Sequence, residues 1–409
     1  MLGAHNGVNR GCAMLDTIEA KAKDILRALT NVMKIGPQSL CPCGSGRVYA
    51  GCCSQSSGGE LAFAKQAFAA VLAYKRSQGG RVVRIPQSLF TRFQDASLQR
   101  LPCLYPRCSR KPVSCHLIPE SILRSRFGGH CLEWQLQDDS PHGAFVKTGV
   151  GKAGVLPVFC SQHDNSLFRG VDRLTGDLAS QECRFLLSFK AIAFALRKVQ
   201  GLLGMDFQVE LFKPFLIADN LGDSGPTHIE IDISFLHEQY VRFVILDRLL
   251  AQSVEAFQRS NWDYFSYYGR EIDYHEHLLF ADLINPSHDL EGQRVNTRRT
   301  PISIVCNVFT LERKLHVLFS CPDDGSRHAY AKLFDQLDHA DDRTLVTVVN
   351  NVLTFAADKP LLPERRVITT EELPRIARQR EKASRCLKTT SNEVFDLRDC
   401  ASAVQFVAM

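Results

Sequence analysis

The sequence predicts an α+β protein: a helix-rich, multi-unit chain with two cysteine-rich nodes and a β-hairpin covered by helices towards its end. Three observations lead there. At 409 residues the chain exceeds what one ordinary core holds, so it should fold as several units. Apolar residues recur every three or four positions in its middle, the spacing of helices that bury one face, whereas 302–309 and 314–320 read as strands. With 45% hydrophobic and 23% charged residues the composition is that of a globular protein. The expected units are 1–80, helical with the first cysteine node; 81–175, holding the second; 176–290, a helical core; and 291–409, an α+β region with a basic terminal helix.

In chain order, residues 1–13 read as a loose leader. Asp16 with Glu19 resembles a capping box, and Ile18, Ile25, Leu26, Leu29, Val32 and Met33 form one helical stripe that Gly36-Pro37 stops. A second helix is expected from Glu60 to Lys75, closed by Gly79-Gly80. Phe185, Leu186, Phe189, Ile192, Ala193, Leu196 and Val199 mark a strongly apolar helix, and Leu236, Tyr240, Phe243, Val244, Leu246, Leu250 and Val254 another. The aromatic run Trp262–Tyr268 carries few basic neighbours and is read as core. His275-Glu276-His277 lacks a third convergent ligand and is read as an exposed polar stretch. The two strands are separated by four residues, a hairpin loop, and helices at 329–336 and 343–356 should cover them. Thr369 with Glu372 opens a terminal helix bearing Arg375, Arg378, Arg380, Lys382 and Arg385, diluted by acids and read as solvated.

Several function classes are excluded on the same grounds. The first residues lack a basic segment followed by an apolar one, so no secretory signal is visible. No stretch reaches the ~18–20 apolar residues of a membrane span. Fifteen cysteines in such a chain point to a reducing, cytoplasmic setting with the clustered ones kept for metal. Cys183, Cys306 and Cys321, set in apolar runs, read as small buried hydrophobes. There is no P-loop and no dinucleotide fingerprint, and the net charge of +5 is too mild to name a partner.

The first node is Cys41-Pro42-Cys43-Gly44-Ser45-Gly46, followed by Tyr49, Cys52 and Cys53. Four thiols this close suit tetrahedral Zn²⁺ better than two disulfides, and Gly44 and Gly46 permit the tight backbone that must wrap an ion. The run resembles the SEC-C motif, a zinc knuckle of pattern C-P-C-G-S-G-x-x-Y-x-x-C-C/H. Arg47 and Ala50 stand where that family often has lysine. The resemblance implies a closed, structural zinc held by Cys41, Cys43, Cys52 and Cys53.

The second node is spread more widely. Cys103 and Cys108 flank four residues, Ser114-Cys115-His116-Leu117-Ile118-Pro119 follows, and Cys160, His163, Asp164 and Asn165 come much later. Two ligand pairs separated by a long insert are the logic of a treble-clef zinc site. The His-x-Ile-Pro and the asparagine after the second pair resemble the HNH endonucleases. That resemblance implies a second structural zinc on Cys103, Cys108, Cys160 and His163. It also implies His116 as general base, with Asn165 and Asp164 helping at the histidine or at a catalytic Mg²⁺ or Mn²⁺. The chain departs from the family in having Cys115 before the base, a longer insert, and Phe168 and Arg169 where a second histidine or lysine is usual.

Charge near this node favours a polyanion. Arg100, Arg107, Arg110, Lys111, Arg124 and Arg126 face the single acid Glu120 between residues 100 and 127, so Arg107, Arg110, Lys111, Arg124 and Arg126 are expected to bind phosphates. The expected function is metal-dependent cleavage of DNA or RNA; the resemblance adds a role in defence against foreign nucleic acid. The rival expectation is a non-catalytic zinc adaptor that docks protein or nucleic acid.

Overall fold

The structure, a computed structural model, describes residues 27, 30–31, 33–55, 94–95, 97–135, 144–172, 180–221, 233–274, 277–295, 303–322, 326–353, 361–363 and 394–396. The leader, most of the helix expected over 16–33, the helices over 60–75 and 369–385, and the pair His275-Glu276 lie outside these residues. The chain divides into two compact units, Met1–Leu101 with Val199–Val244, and Pro102–Lys198 with Ile245–Met409. Helices and sheets are both present. None of the described helices is long and apolar enough to cross a membrane.

The second unit begins with a small layer that frames the second cysteine node. Strand β1 (Ser114–His116) runs into helix α1 (Glu120–Phe127), and strands β2 (His130–Gln135) and β3 (Ala144–Gly149) form an antiparallel pair. Strand β4 (Val155–Pro157) then returns antiparallel to β1, with His116 opposite Val155, and helix α2 (Ser161–Asp172) follows directly. Pro119 ends the extended backbone of β1 at the residue before α1, as a fixed proline φ allows at a helix start. The gap between His116 and Cys160 is thus filled by one helix and two strands before β4.

Helices α3 (Gln181–Leu221) and α4 (Ile233–Gln258) come next. The expected apolar stripes fall inside them, with Phe185, Phe189, Ile192 and Leu196 on α3 and Leu236, Phe243, Leu246 and Leu250 on α4 all buried. Strands β5 (Phe265–Asp273), β6 (Leu279–His288), β7 (Ile304–Leu311) and β8 (Lys314–Pro322) then precede helices α5 (Ser326–His339) and α6 (Asp342–Asn351), with short strands β9 (Leu361–Pro363) and β10 (Val394–Asp396) last. The strands join β2 and β3 in one eight-stranded sheet of order β3-β2-β9-β6-β7-β8-β5, with β10 parallel to β6.

The sheet is larger than the hairpin that the sequence predicts. Both expected strands are found, the first shifted two residues on to Ile304–Leu311 and the second extended to Pro322, so the loop shrinks from four residues to Glu312 and Arg313. Both take positive φ, 50° and 64°, the backbone that a two-residue hairpin needs and that glycine or asparagine usually supplies. Tyr330, Leu333 and Leu337 of α5 and Leu345, Val348 and Val349 of α6 share one core with Cys306, Val308, Val317 and Phe319 of the sheet. Asp341 caps α6 by accepting the Thr344 N–H at 2.8 Å. Cys183, Cys306 and Cys321 are buried, as expected of small hydrophobes, and Phe265 and Tyr268 anchor the aromatic run in the core.

In the first unit the segment around Cys41–Cys53 packs on α3 beyond Val199 and on the start of α4. The Tyr240 hydroxyl donates to the Leu40 carbonyl at 3.0 Å. Gly44, at φ +74°, lies so close to α3 that a Cβ there would stand 2.7 Å from the Gln200 carbonyl oxygen. Gly204 offers the matching gap on the helix, with a Cβ 3.3 Å from the Cys43 carbonyl oxygen. Gly44→Ala should therefore incur both a left-handed backbone cost and a clash against helix backbone, together about 2–4 kcal/mol. Denaturation followed by hydrogen exchange should show this loss confined to the first unit.

Candidate metal centres

Among the described residues, two groups of four side chains converge. Cys41, Cys43, Cys52 and Cys53 form one and Cys103, Cys108, Cys160 and His163 the other, and within each the donor atoms all lie within 4.8 Å of one another. These are the eight residues singled out from their spacing, and each group could hold a metal ion.

At the Cys41 centre, the Cys43 and Cys52 sulfurs are 3.6 Å apart and the Cys52 and Cys53 sulfurs 4.0 Å. Tetrahedral coordination with metal–sulfur bonds of about 2.3 Å separates sulfurs by about 3.8 Å, so the group fits an ion of that kind. The backbone closes the loop through the Cys41 N–H to the Arg47 carbonyl at 2.7 Å, and the Gly44 N–H to the Cys41 carbonyl at 3.2 Å. Gly46, like Gly44, has φ +74°, which lets the chain reverse between the two cysteine pairs. The Ser45 hydroxyl lies 3.3 Å from the Cys52 sulfur, and a hydroxyl donating there favours thiolate. Hydrogen bonds from Cys43 push Cys41 below the usual thiol range, and those from Cys41, Cys43 and Cys53 push Cys52 below it. Cys43 and Cys53, bonded in turn to Cys41, are pushed up.

The second centre joins distant parts of the chain. Cys103 and Cys108 bracket a tight turn in which Arg107 takes φ +61°, and Cys160 and His163 sit at the start of α2. His163 Nδ1 lies 3.4 Å from both the Cys103 and Cys160 sulfurs, and the Cys108 and Cys160 sulfurs are 4.0 Å apart. A metal bonded to one sulfur and one imidazole nitrogen would hold them about 3.6 Å apart. The Cys160 N–H donates to the Cys103 sulfur at 3.2 Å, and Tyr105 stacks on the His163 ring at 4.0 Å between centroids. Burial pushes the Cys103 thiol up to about 11. Burial also acts to raise Cys108, but the Arg110 N–H and guanidinium outweigh it and hold this thiol below its usual range.

Behind this centre lies a cation that ligand spacing does not reveal. Arg197 of α3 has 0% of its surface exposed. Its Nη2 donates to the Pro102 carbonyl at 2.5 Å and the Val158 carbonyl at 3.2 Å, both close in sequence to a cysteine ligand. Its Nε and Nη1 are buried with no hydrogen-bond partner. Burial pushes the guanidinium down to about 10, while the Cys103 and Cys115 sulfurs act to raise it. The sequence does carry a signal: Lys190, Arg197 and Lys198 are the charges in the otherwise apolar stretch from Phe185 to Val199, and a charge buried there must be compensated inside. Lys190, equally buried, pairs with Asp172 at 2.7 Å.

His116 ends β1, half-buried, with Nε2 3.1 Å from the Val150 carbonyl oxygen. A carbonyl only accepts, so in the neutral ring Nε2 carries the proton and Nδ1 is the basic nitrogen. The loop holding Val150 is braced from β2, because Glu133, 3% exposed, accepts the Gly154 N–H at 3.1 Å. The Gly154 carbonyl in turn accepts the Leu117 N–H at 3.1 Å, beside His116. Asp164 of α2 has a buried Oδ1 without a partner. Burial raises the Asp164 carboxyl above the usual range, against the pull of Lys190, Cys115 and His116. Asn165 is turned outward, its amide donating to the Ser161 carbonyl at 2.7 Å.

The basic residues are not equivalent. Arg107, Arg110 and Lys111 are exposed on the Cys103 turn, and Arg110 also donates to Gln162 Oε1 at 2.5 Å. Arg124 is exposed but paired with Glu120 at 2.5 Å, whereas Arg126 is half-buried with Nε unpartnered. His277, the described member of the His-Glu-His run, is half-buried at the edge of the Phe127 ring, where the sequence reads an exposed polar stretch.

No family model, curated protein or solved structure matches the chain.

Proposed function

We propose that the protein is a zinc-stabilised, metal-dependent nuclease of HNH-like type, acting on DNA or RNA, with a SEC-C-like knuckle as its second zinc site. The observation that carries this reading is His116: a strand-end histidine whose Nε2 is fixed by a carbonyl, leaving Nδ1 as base, next in sequence to a thiol that interacts with Asp164 on the ligand-bearing helix. The thiolate-rich donor sets favour zinc over harder cations. Closed four-ligand sites of this kind hold structure and leave chemistry to neighbouring groups.

In this account His116 Nδ1 takes a proton from the water that attacks phosphorus, and the Val150 carbonyl keeps the ring in the tautomer that can do so. Asp164, with its orphaned Oδ1, is the residue that would hold a catalytic Mg²⁺ or Mn²⁺. Such an ion, when bound, stabilises charge on the scissile phosphate. Asn165 is the weaker helper, since its amide is engaged within α2. Arg107, Arg110 and Lys111 bind the backbone, with smaller parts for Arg124 and Arg126.

Binding should weaken steeply with salt, because each neutralised phosphate releases condensed counterion. Replacing Arg107 and Lys111 by glutamine should lower the slope of log K against log salt by about 1 for each phosphate no longer neutralised, without altering sequence preference. Affinity for nucleic acid that is absent at low salt would sink this reading. The second reading is a non-catalytic adaptor docking protein or nucleic acid, favoured by the lack of any third ligand group around His116 among the described residues. Under that reading, wild-type protein holding both metals binds its partner but cuts neither DNA nor RNA.

A further inference from the structure

We propose that Arg197 is the counter-charge of the Cys103 centre: a buried guanidinium that selects for the metal-loaded, anionic form of that site. Three thiolates and a neutral imidazole on a divalent ion leave one net negative charge. Arg197 supplies one positive charge from behind, in a place from which water is excluded. Its two hydrogen bonds go to carbonyls flanking the ligands, Pro102 before Cys103 and Val158 two residues before Cys160. These tie together the two chain segments that the metal joins. They satisfy only one of its nitrogens; Nε and Nη1 have no partner. A cation buried with unsatisfied donors is stable only beside an opposite charge, and the two carbonyls that hold Arg197 place it against the segments that carry Cys103 and Cys160. Loaded with metal, the four-ligand set carries the negative charge that compensates this guanidinium.

The geometry separates two roles. A pure clamp would stabilise the loaded and metal-free protein alike, whereas a counter-charge acts on the difference between them. The inference rests on reading the Cys103 centre as a metal site. A wild-type chain that binds a single equivalent fails that reading, while a two-metal chain indifferent to Arg197 fails only this one.

The test uses the full chain loaded with Co²⁺, whose absorption distinguishes a three-sulfur, one-nitrogen site from a four-sulfur site, and titrates each site with a competing chelator. Arg197→Met should weaken metal at the Cys103 centre by about 10- to 100-fold, the usual effect of losing a group that supports a ligand set, with the Cys41 centre unchanged. The metal-free variant should be at least as stable to heat as metal-free wild type. Equal affinity in variant and wild type, or an equal loss of stability with and without metal, would overturn the proposal. If Arg197→Met does not fold, Arg197→Lys decides. It keeps the charge but not the paired hydrogen bonds, so affinity retained within a few-fold supports the counter-charge and affinity lost refutes it.

Discussion

Cys103→Ser is expected to remove one of two bound zinc ions and to unfold the region from Pro102 to Asp172, leaving the Cys41 centre loaded. Cys103 does more than donate a sulfur. It receives the Cys160 N–H and meets His163, so it joins the first ligand pair to the helix that carries the second. The small β1–β4 sheet between those pairs has only three residue pairs, too little to hold the ends together. Metal binding at such a site is folding free energy, on the order of 10 kcal/mol, which a serine hydroxyl does not replace. Elemental analysis should fall from about two zinc per chain to about one, with exchange protection lost around β1 and α2. Two zinc retained, or loss of both, would show that the two centres are not independent sites of the kind described.

His116→Ala should abolish cleavage while leaving zinc content and nucleic-acid binding near wild-type levels. His116 is not among the eight donors, so its removal takes nothing from either metal. It leaves the Val150 carbonyl without its partner, a local cost of about 1–3 kcal/mol that the adjoining Leu117–Gly154 hydrogen bond should contain. Loss of a positioned general base costs roughly 10²–10⁴ in rate. Asn165→Ala should do less, because that amide bonds within its own helix; Asp164→Asn should cost more than Asn165→Ala, because it removes charge at a buried oxygen without a partner. Zinc release from His116→Ala would instead make this histidine part of the structural site.

The two candidate ligand groups are legible in the sequence because their donors come in closely spaced pairs, with glycines between the pairs at the Cys41 centre. The helices of the middle region are legible because their apolar stripes are long. The sheet is less so. β6 falls in the 176–290 stretch expected to be a helical core, and its pairing with β7, β9 and β10 is set by residues far apart in the chain. The hairpin loop reads too long because Glu312 and Arg313 do not look like residues at positive φ, and the tight turn is imposed by the long ladder on either side. Around the second centre, the donors follow from spacing, but their support does not. Arg197 reaches it from a helix, and Glu133 braces the Val150–Gly154 loop beside His116 from a strand; no motif links either element to it. The contrast between a buried Asp164 and an outward Asn165 depends on which face of α2 meets β1.

The central claim is that this chain cuts nucleic acid from a histidine braced beside a zinc-held fold. The most direct test incubates full-length protein, with its zinc counted in the same preparation, with plasmid DNA and with single-stranded RNA at low salt, adding Mg²⁺ or Mn²⁺. The account predicts about two zinc per chain and cleavage of at least one substrate, dependent on the added ion and absent in His116→Ala. Protein that carries both zinc ions and binds these substrates yet cuts neither with either ion would contradict it.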